Sequence, residues 1–387
     1  MTTLLLSAGD ASGELHTAPF VEAFRRRVPD ARFLGLGGTE MEKAGVELVV
    51  HQRELAIGGL VEVLRDARRI VSAWRRMKRA LETSGADLVV LVDSPDFNIP
   101  LARRAKKAGI PVLYFISPQV WAWRRRRIGK IARRVDRMAV IFPFEKEVYA
   151  KAALQVDFVG HPLVDRLGGI ALQPSRQEMR RSLGLDPGDY LVVMLPGSRR
   201  NEVRAGLSLH LEAARALHVR DPRVHFAIAV APSIPRPSVE RAIAEAGLPS
   251  LLSIQVFEGR TYELLRAADV ALAKPGTVTV EISLLGTPMV VAARANPLTA
   301  FLARRVVRLS SVAMPNLIVG APVVPEFLQG EAQPERIALA LAELLEGPAR
   351  ELQLAQLARV RERLGSGGAA ERAAAIAEEM ARGAGGA

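Results

Sequence analysis

Short apolar runs recur along the chain, each followed by a longer segment in which charged residues alternate with apolar ones at helical spacing. In the first half the runs are Thr3 to Ser7, Arg32 to Leu36, Leu88 to Asp93, Val112 to Ile116, Met138 to Ile141 and Val156 to Val159. Continuous rather than alternating hydrophobicity predicts strands covered on both faces, as in a parallel sheet wound by helices. The pattern breaks at Gly160-His161-Pro162 and a polar stretch through Ser175. It then restarts with Tyr190 to Leu195, Val224 to Val230, Ser253 to Phe257, Val270 to Ala273 and Pro288 to Val291. Two doubly wound parallel sheets in succession are expected, with domain limits at 1–165, 166–345 and 346–387. The Ala-, Glu-, Leu- and Arg-rich tail from Glu331 predicts two or three closing helices, interrupted near Gly365-Ser366-Gly367-Gly368.

The stretch Asp269 to Val291 reads strand, turn, helix, turn, strand. Gly276 and Thr277 in its first turn let backbone approach a ligand, and the following helix offers unpaired N–H groups and a positive dipole end to an anion such as a diphosphate. Glu281, about one turn into that helix, is placed to accept from two sugar hydroxyls. Together these suggest a nucleotide-sugar site, although any parallel crossover has a loop of this kind.

The two halves open alike, with LLLSAGDASGE at the start and LVVMLPGSRRNEV at Leu191 to Val203. The first loop contains Gly9, Asp10, Ser12 and Gly13 but is not GxGxxG, and no acid closes the second strand, which disfavours a dehydrogenase. Asp10 and Glu14 read equally well as a helix cap and a first-turn carboxylate. Asp93 ends a strongly apolar strand, where a carboxylate must be paired or face a ligand, so a base is expected there; Asp96 and Asn98 fit caps of the next helix. The loop Ser117 to Trp123 carries Gln119 and two tryptophans, Trp121 and Trp123, which suit either a sugar or lipid face or a local core. In the second glycine loop, Gly197 and Ser198 precede Arg199, which is suited to gripping a diphosphate and neutralising a leaving group. No DxD triplet is present, so fixed positive charge rather than a metal is expected to hold the anion.

Charge and composition narrow the setting. The chain has 387 residues, a net charge of +12 and no cysteine, which removes disulfides, thiol nucleophiles and cysteine-based metal sites. The basic balance suits an anionic partner, or is a compositional bias. The start MTTLLLSAGD lacks a basic n-region, and no apolar run reaches the ~18 residues of a membrane span, so neither export by that route nor a crossing is expected. From Leu60 to Leu81 apolar positions recur at helical spacing against Arg65, Arg68, Arg69, Arg75, Arg76 and Arg79. That helix suits an anionic membrane surface or simply covers a core.

The motifs SAGDASGE, ELAIGGLVEVL, LVDSPDFN, ISPQVWAWRRRRIGKI, FVGHPLVD, LPGSRRNEV, LLGTPMVV and MPNLIVG occur in that order, and with them the chain resembles the lipid-A-disaccharide synthases over nearly its whole length. The resemblance implies a GT-B fold, two Rossmann-like domains facing a cleft and closed by C-terminal helices. It also implies transfer of a 2,3-diacylglucosamine unit from UDP to 2,3-diacylglucosamine 1-phosphate, without cofactor or metal. Asp93 and Arg199 match the essential pair. Gly9, Asp10, Ser12, Gly13, Gln119, Trp121, Gly197, Ser198, Gly276, Thr277, Glu281 and Asn316 are the expected substrate-binding residues, Asn316 through the PN motif. The implied partners are a UDP-sugar, an acylated sugar phosphate, an anionic membrane surface on the cytoplasmic side and, in some members, a second copy in a homodimer; no nucleic acid is expected. This chain departs from the family pattern at several points, notably Lys274-Pro275, which replaces small residues, and Ala293-Arg294, where a tyrosine-arginine pair is usual. A UDP-sugar 2-epimerase and a basic nucleic-acid binder are the alternatives.

Overall fold

The computed structural model describes residues 1–55, 63–120, 125–168, 174–249, 252–294 and 311–384. They fall into two compact units, one of Met1–Asp165 with Leu364–Ala387 and one of Arg166–Arg363.

The first unit holds seven parallel strands: β1 Thr3–Ala8, β2 Arg32–Gly37, β3 Glu47–His51, β4 Leu88–Val92, β5 Val112–Phe115, β6 Arg137–Val140 and β7 Gln155–Phe158. Their order is β3-β2-β1-β4-β5-β6-β7. In β1, β4 and β5 every residue is buried, which is why these runs are apolar on both faces. Leu4, Leu5 and Leu6 are 0% exposed, each contributing on the order of 1.5–3 kcal/mol by burial. The second unit holds β8 Tyr190–Leu195, β9 Val224–Val230, β10 Ile254–Glu258, β11 Val270–Ala273, β12 Met289–Ala293 and β13 Glu326–Leu328, in the order β10-β9-β8-β11-β12-β13.

Two strands were not expected. β3 and β13 lie at sheet edges, and their residues are mostly half-exposed, so neither shows a continuous apolar run. Strand β4 also ends one residue earlier than its hydrophobicity predicts, because Asp93 and Ser94 turn into the left-handed region at φ 43° and 41°.

The C-terminal helices divide between the units. Pro348–Arg363 packs on the helices Val278–Leu285 and Met314–Val319, and its buried Gln353 accepts from Met289 N at 2.7 Å and donates to Met289 O at 3.1 Å. The chain then enters the first unit, where Leu364 O accepts from His161 N at 2.9 Å. Helix Ala369–Ala384 packs against Ala11–Arg27, with Arg27 paired to Glu378 at 2.6 Å.

Each sheet reverses its winding once, between β1 and β4 in the first unit and between β8 and β11 in the second. Helices leave such neighbouring strands toward opposite faces, which opens a crevice at their carboxyl ends where ligands of open α/β sheets bind.

Candidate active site

At the first switch point the loops after β1 and β4 lie against each other. A Cβ on Gly9 would sit 2.5 Å from Ser94 Oγ and 3.0 Å from Ser94 Cβ, so a larger residue there would have to push Ser94 aside. Asp10 caps helix Ala11–Arg27 by accepting from Gly13 N at 2.7 Å, while the residue remains exposed. Ser12 is exposed in the first turn and Gly13 is buried. Glu14 is a different case. It is buried, accepts from Gln52 Nε2 at 2.6 Å and Glu40 N at 3.3 Å, and so ties the loop after β2 to the first helix.

Asp93 follows β4 on strained backbone. It, Ser94 and Ile116 are three of the four non-glycine residues with positive φ among the described residues, and they share the carboxyl ends of the adjacent strands β4 and β5. Hydrogen bonds hold this backbone in place. Asn98 is fully buried and its Nδ2 donates to Asp93 O at 2.9 Å, Val92 O at 3.0 Å and Ser7 O at 3.3 Å, while its Oδ1 accepts from Ser7 Oγ at 2.6 Å. The buried Tyr114 hydroxyl donates to Asp93 O at 2.5 Å, and Asp93 N donates to Ile116 O at 3.2 Å. Burial, followed by the nearby charge of Asp10, pushes the Asp93 carboxyl up to about 6, against a partial offset from the Ser94 N–H. The result is a carboxylate ionised at neutral pH yet more basic than an exposed one, which suits proton acceptance.

The second switch point carries the opposite charge. Gly197, at φ 136°, leads the chain from β8 into helix Arg200–Arg220, and a Cβ on it would lie 2.9 Å from Glu202 Cβ. Ser198 and Arg199 are exposed, and the Ser198 carbonyl accepts from Ser233 Oγ at 2.5 Å. Glu202 Oε1 is 3.1 Å from Arg199 and 3.2 Å from Lys274, which follows β11. Burial pushes the Glu202 carboxyl up, but Lys274, the Ser198 N–H and Arg199 outweigh it and hold the group below its ordinary value.

Beyond Lys274, Gly276 and Thr277 are exposed and open helix Val278–Leu285; no side chain caps it. Glu281, in that helix, accepts from Tyr262 OH at 3.0 Å. Burial raises its carboxyl above the ordinary value, opposed by the Tyr262 hydroxyl and by Arg166, whose guanidinium lies 5.7 Å from the Tyr262 ring centre.

Of three further expected binding residues, two are described and one is not. Asn316 is buried and its amide is consumed internally: it donates to Val324 O and Glu326 and accepts from Val323 N at 2.7 Å and Val324 N at 2.8 Å. It holds the turn before β13. Gln119 is exposed after β5, and Trp121 lies outside the described residues, as does Trp123. In helix Val63–Thr83 the apolar residues Ala73, Met77, Ala80 and Leu81 belong to the core, and Trp74 packs edge-on against Phe97 at 5.5 Å. From Ala73 onward the helix covers a core, and its exposed part is basic. A groove of 850 Å³ runs between helices Arg200–Arg220 and Arg236–Glu245.

Asn98, Tyr114 and Glu202 carry no sequence signal that marks them as part of these clusters. Asn98 fits a helix cap by position, and its partner Ser7 is 91 residues away.

Two doubly wound parallel sheets, each with its polar loops at the winding reversal, make this a GT-B protein. Solved structures of the same fold include the Neisseria meningitidis UDP-GlcNAc 2-epimerase bound to UDP-GlcNAc, with a TM-score of 0.67, 14% identity and coverage of 99% of this chain and 100% of that one. Acinetobacter baumannii MurG gives a TM-score of 0.59 at 14% identity, covering 98% of each chain. At such identities the likeness is one of fold. The lipid-A-disaccharide synthetase family model matches residues 4–380, and the chain belongs to that family of glycosyltransferases. The lipid-A-disaccharide synthase of Geobacter metallireducens is 44% identical over 378 residues, 97% of each chain. The epimerase and nucleic-acid alternatives are not favoured.

Proposed function

We propose that the protein joins UDP-2,3-diacylglucosamine to 2,3-diacylglucosamine 1-phosphate by an inverting transfer, giving lipid A disaccharide 1-phosphate and UDP. The observation that carries the chemistry is Asp93, a half-buried carboxylate of raised basicity fixed at a winding reversal. Asp93 accepts the proton of the acceptor 6-hydroxyl as its oxygen bonds to the anomeric carbon. The bond from that carbon to the diphosphate oxygen breaks, and its electron pair leaves with UDP. Arg199 and the backbone at Gly276-Thr277 stabilise the charge that develops on the diphosphate, and Glu281 takes the ribose hydroxyls. Gly9, Asp10, Ser12 and Gly13 border the acceptor.

The substrates are lipids, which favours peripheral contact with an anionic membrane surface. Arg68, Arg75 and Arg79 on the exposed side of helix Val63–Thr83 support this. Among the described residues no helix is long and apolar enough to cross a membrane.

Mass spectrometry of the product formed from the two diacyl substrates in metal-free buffer tests the proposal. A tetraacyl disaccharide phosphate plus UDP is expected. Incubation with UDP-N-acetylglucosamine alone, followed by chromatographic separation of the epimers, is the counter-test: an epimerised product formed without acceptor would replace this reading with the epimerase.

A further inference from the structure

The cluster at the second switch point contains more charge than the reaction scheme has used. The position of Lys274 is set by the sheet, since Lys274 N donates to Leu195 O at 3.1 Å between the ends of β11 and β8. Its Nζ reaches Glu202 Oε1 at 3.2 Å, the same oxygen that Arg199 meets at 3.1 Å, and Glu202 Oε2 accepts from Ser198 N at 3.3 Å. Two cations from two loops and a backbone N–H at a helix start converge on one carboxylate. That is also the set of donors a phosphate group takes at such a place.

We propose that Lys274 is a second cationic ligand for the donor's diphosphate, and that Glu202 is a built-in anion which holds Lys274 and Arg199 together until the diphosphate displaces it. The inference rests on the donor being a nucleoside diphosphate sugar. A doubly charged diphosphate outcompetes a single carboxylate for the two cations. Glu202 keeps the cations from repelling each other in the empty site and reclaims them as product leaves. Glu202 therefore opposes UDP binding while Lys274 favours it, so the two side chains of one ion pair have opposite effects on affinity. A merely structural ion pair would make either loss act in the same direction.

The test is calorimetric titration of UDP and of uridine into the full-length protein and its K274M, E202Q, R199A and K274M/E202Q variants at fixed ionic strength. Thermal melting monitors the fold; Lys274 is 30% exposed and Gln keeps the shape of Glu202. K274M is expected to weaken UDP about tenfold, the size of one charge-assisted contact at a part-exposed site, and to leave uridine unchanged. E202Q is expected to tighten UDP several-fold, a gain that shrinks in the double variant because the two residues are coupled. UDP affinity within twofold of the parent in K274M, or weaker binding in E202Q, overturns the proposal. If R199A weakens UDP while K274M does not, the donor reading survives and the role of Lys274 falls. A parent protein that binds no UDP removes both.

Discussion

The two winding reversals share a topology and differ in how they fix their chemistry. At the end of β4 a carboxylate is set on strained left-handed backbone, and the strain is held by Asn98, Ser7 and Tyr114, whose hydrogen bonds lie in the interior. At the end of β8 the charges are on long side chains, Arg199 is 82% exposed, and restraint comes from ion pairs with Glu202. Proton transfer needs hydrogen-bond geometry and a tuned basicity, which buried dipoles supply. Neutralising a diphosphate tolerates more freedom, because charge attraction falls off slowly with distance.

The sharpest way to break the comparison is D93N. Under the proposed scheme turnover falls by about 10²-fold or more, the loss typical of a positioned proton acceptor. Near-normal kcat with the physiological substrates would discard the role. The same substitution should stabilise the fold. The native state keeps the Asp93 proton up to about pH 6 where an ordinary Asp loses it near 3.8, so Asp93 favours folding at low pH and that contribution is lost as pH rises through 6. Removing the charge should recover about 1–3 kcal/mol at neutral pH, read as a higher melting temperature and a flatter dependence on pH between 4 and 7. A lower melting temperature would mean that the carboxylate is stabilised by partners.

R199A comes next. Loss of a group that stabilises a leaving anion costs on the order of 10²-fold in kcat. Exposure of this side chain makes the effect sensitive to salt, whereas the D93N loss should not vary with ionic strength. An R199A deficit that stays constant from low to high salt would remove the contrast between the two sites.

N98A tests what holds Asp93 in place. Without the amide, the Asp93 carbonyl keeps only Tyr114, and the backbone is freer to leave the left-handed region. We expect about a tenfold loss in kcat with UDP affinity unchanged, together with a lower melting temperature from the orphaned buried Ser7 hydroxyl. Y114F removes a single donor and should do the same more weakly. A variant that melts early yet turns over normally at low temperature would make Asn98 purely structural.

Much of this was legible in the chain itself, for physical reasons that also explain the gaps. Strands covered on both faces must be apolar throughout, so β1, β4, β8 and β11 announce themselves, and the polar loops after them mark the winding reversal of each sheet. The edge strands β3 and β13 do not, since half-exposed residues carry no continuous apolar signal. Positive φ at Asp93 and Ile116 has no signature, because neither is a glycine. Long-range polar partners are equally silent: Lys274 and Glu202 are 72 positions apart, and only the sheet brings them together. Asn316 shows the reverse case. A motif singles it out, yet its amide is spent on Val323, Val324 and Glu326.

The smallest expected effect separates tuning from positioning at the first site. Asp10 raises the Asp93 carboxyl through charge alone, while its own side chain caps the first helix at Gly13. Asn caps helices about as well as Asp, so D10N keeps the cap and removes the charge. With one negative neighbour gone, the ionised form of Asp93 is favoured, and its titration moves downward from about 6. The acid limb of the kcat/KM profile reports that titration in the free enzyme, and it should shift to lower pH in D10N. Burial is the larger cause of the raised value, so the limb remains above the range of an exposed aspartate. An acid limb that stays where it is would show that Asp10 does not tune the base, and a limb that moves upward would contradict the proposed electrostatics.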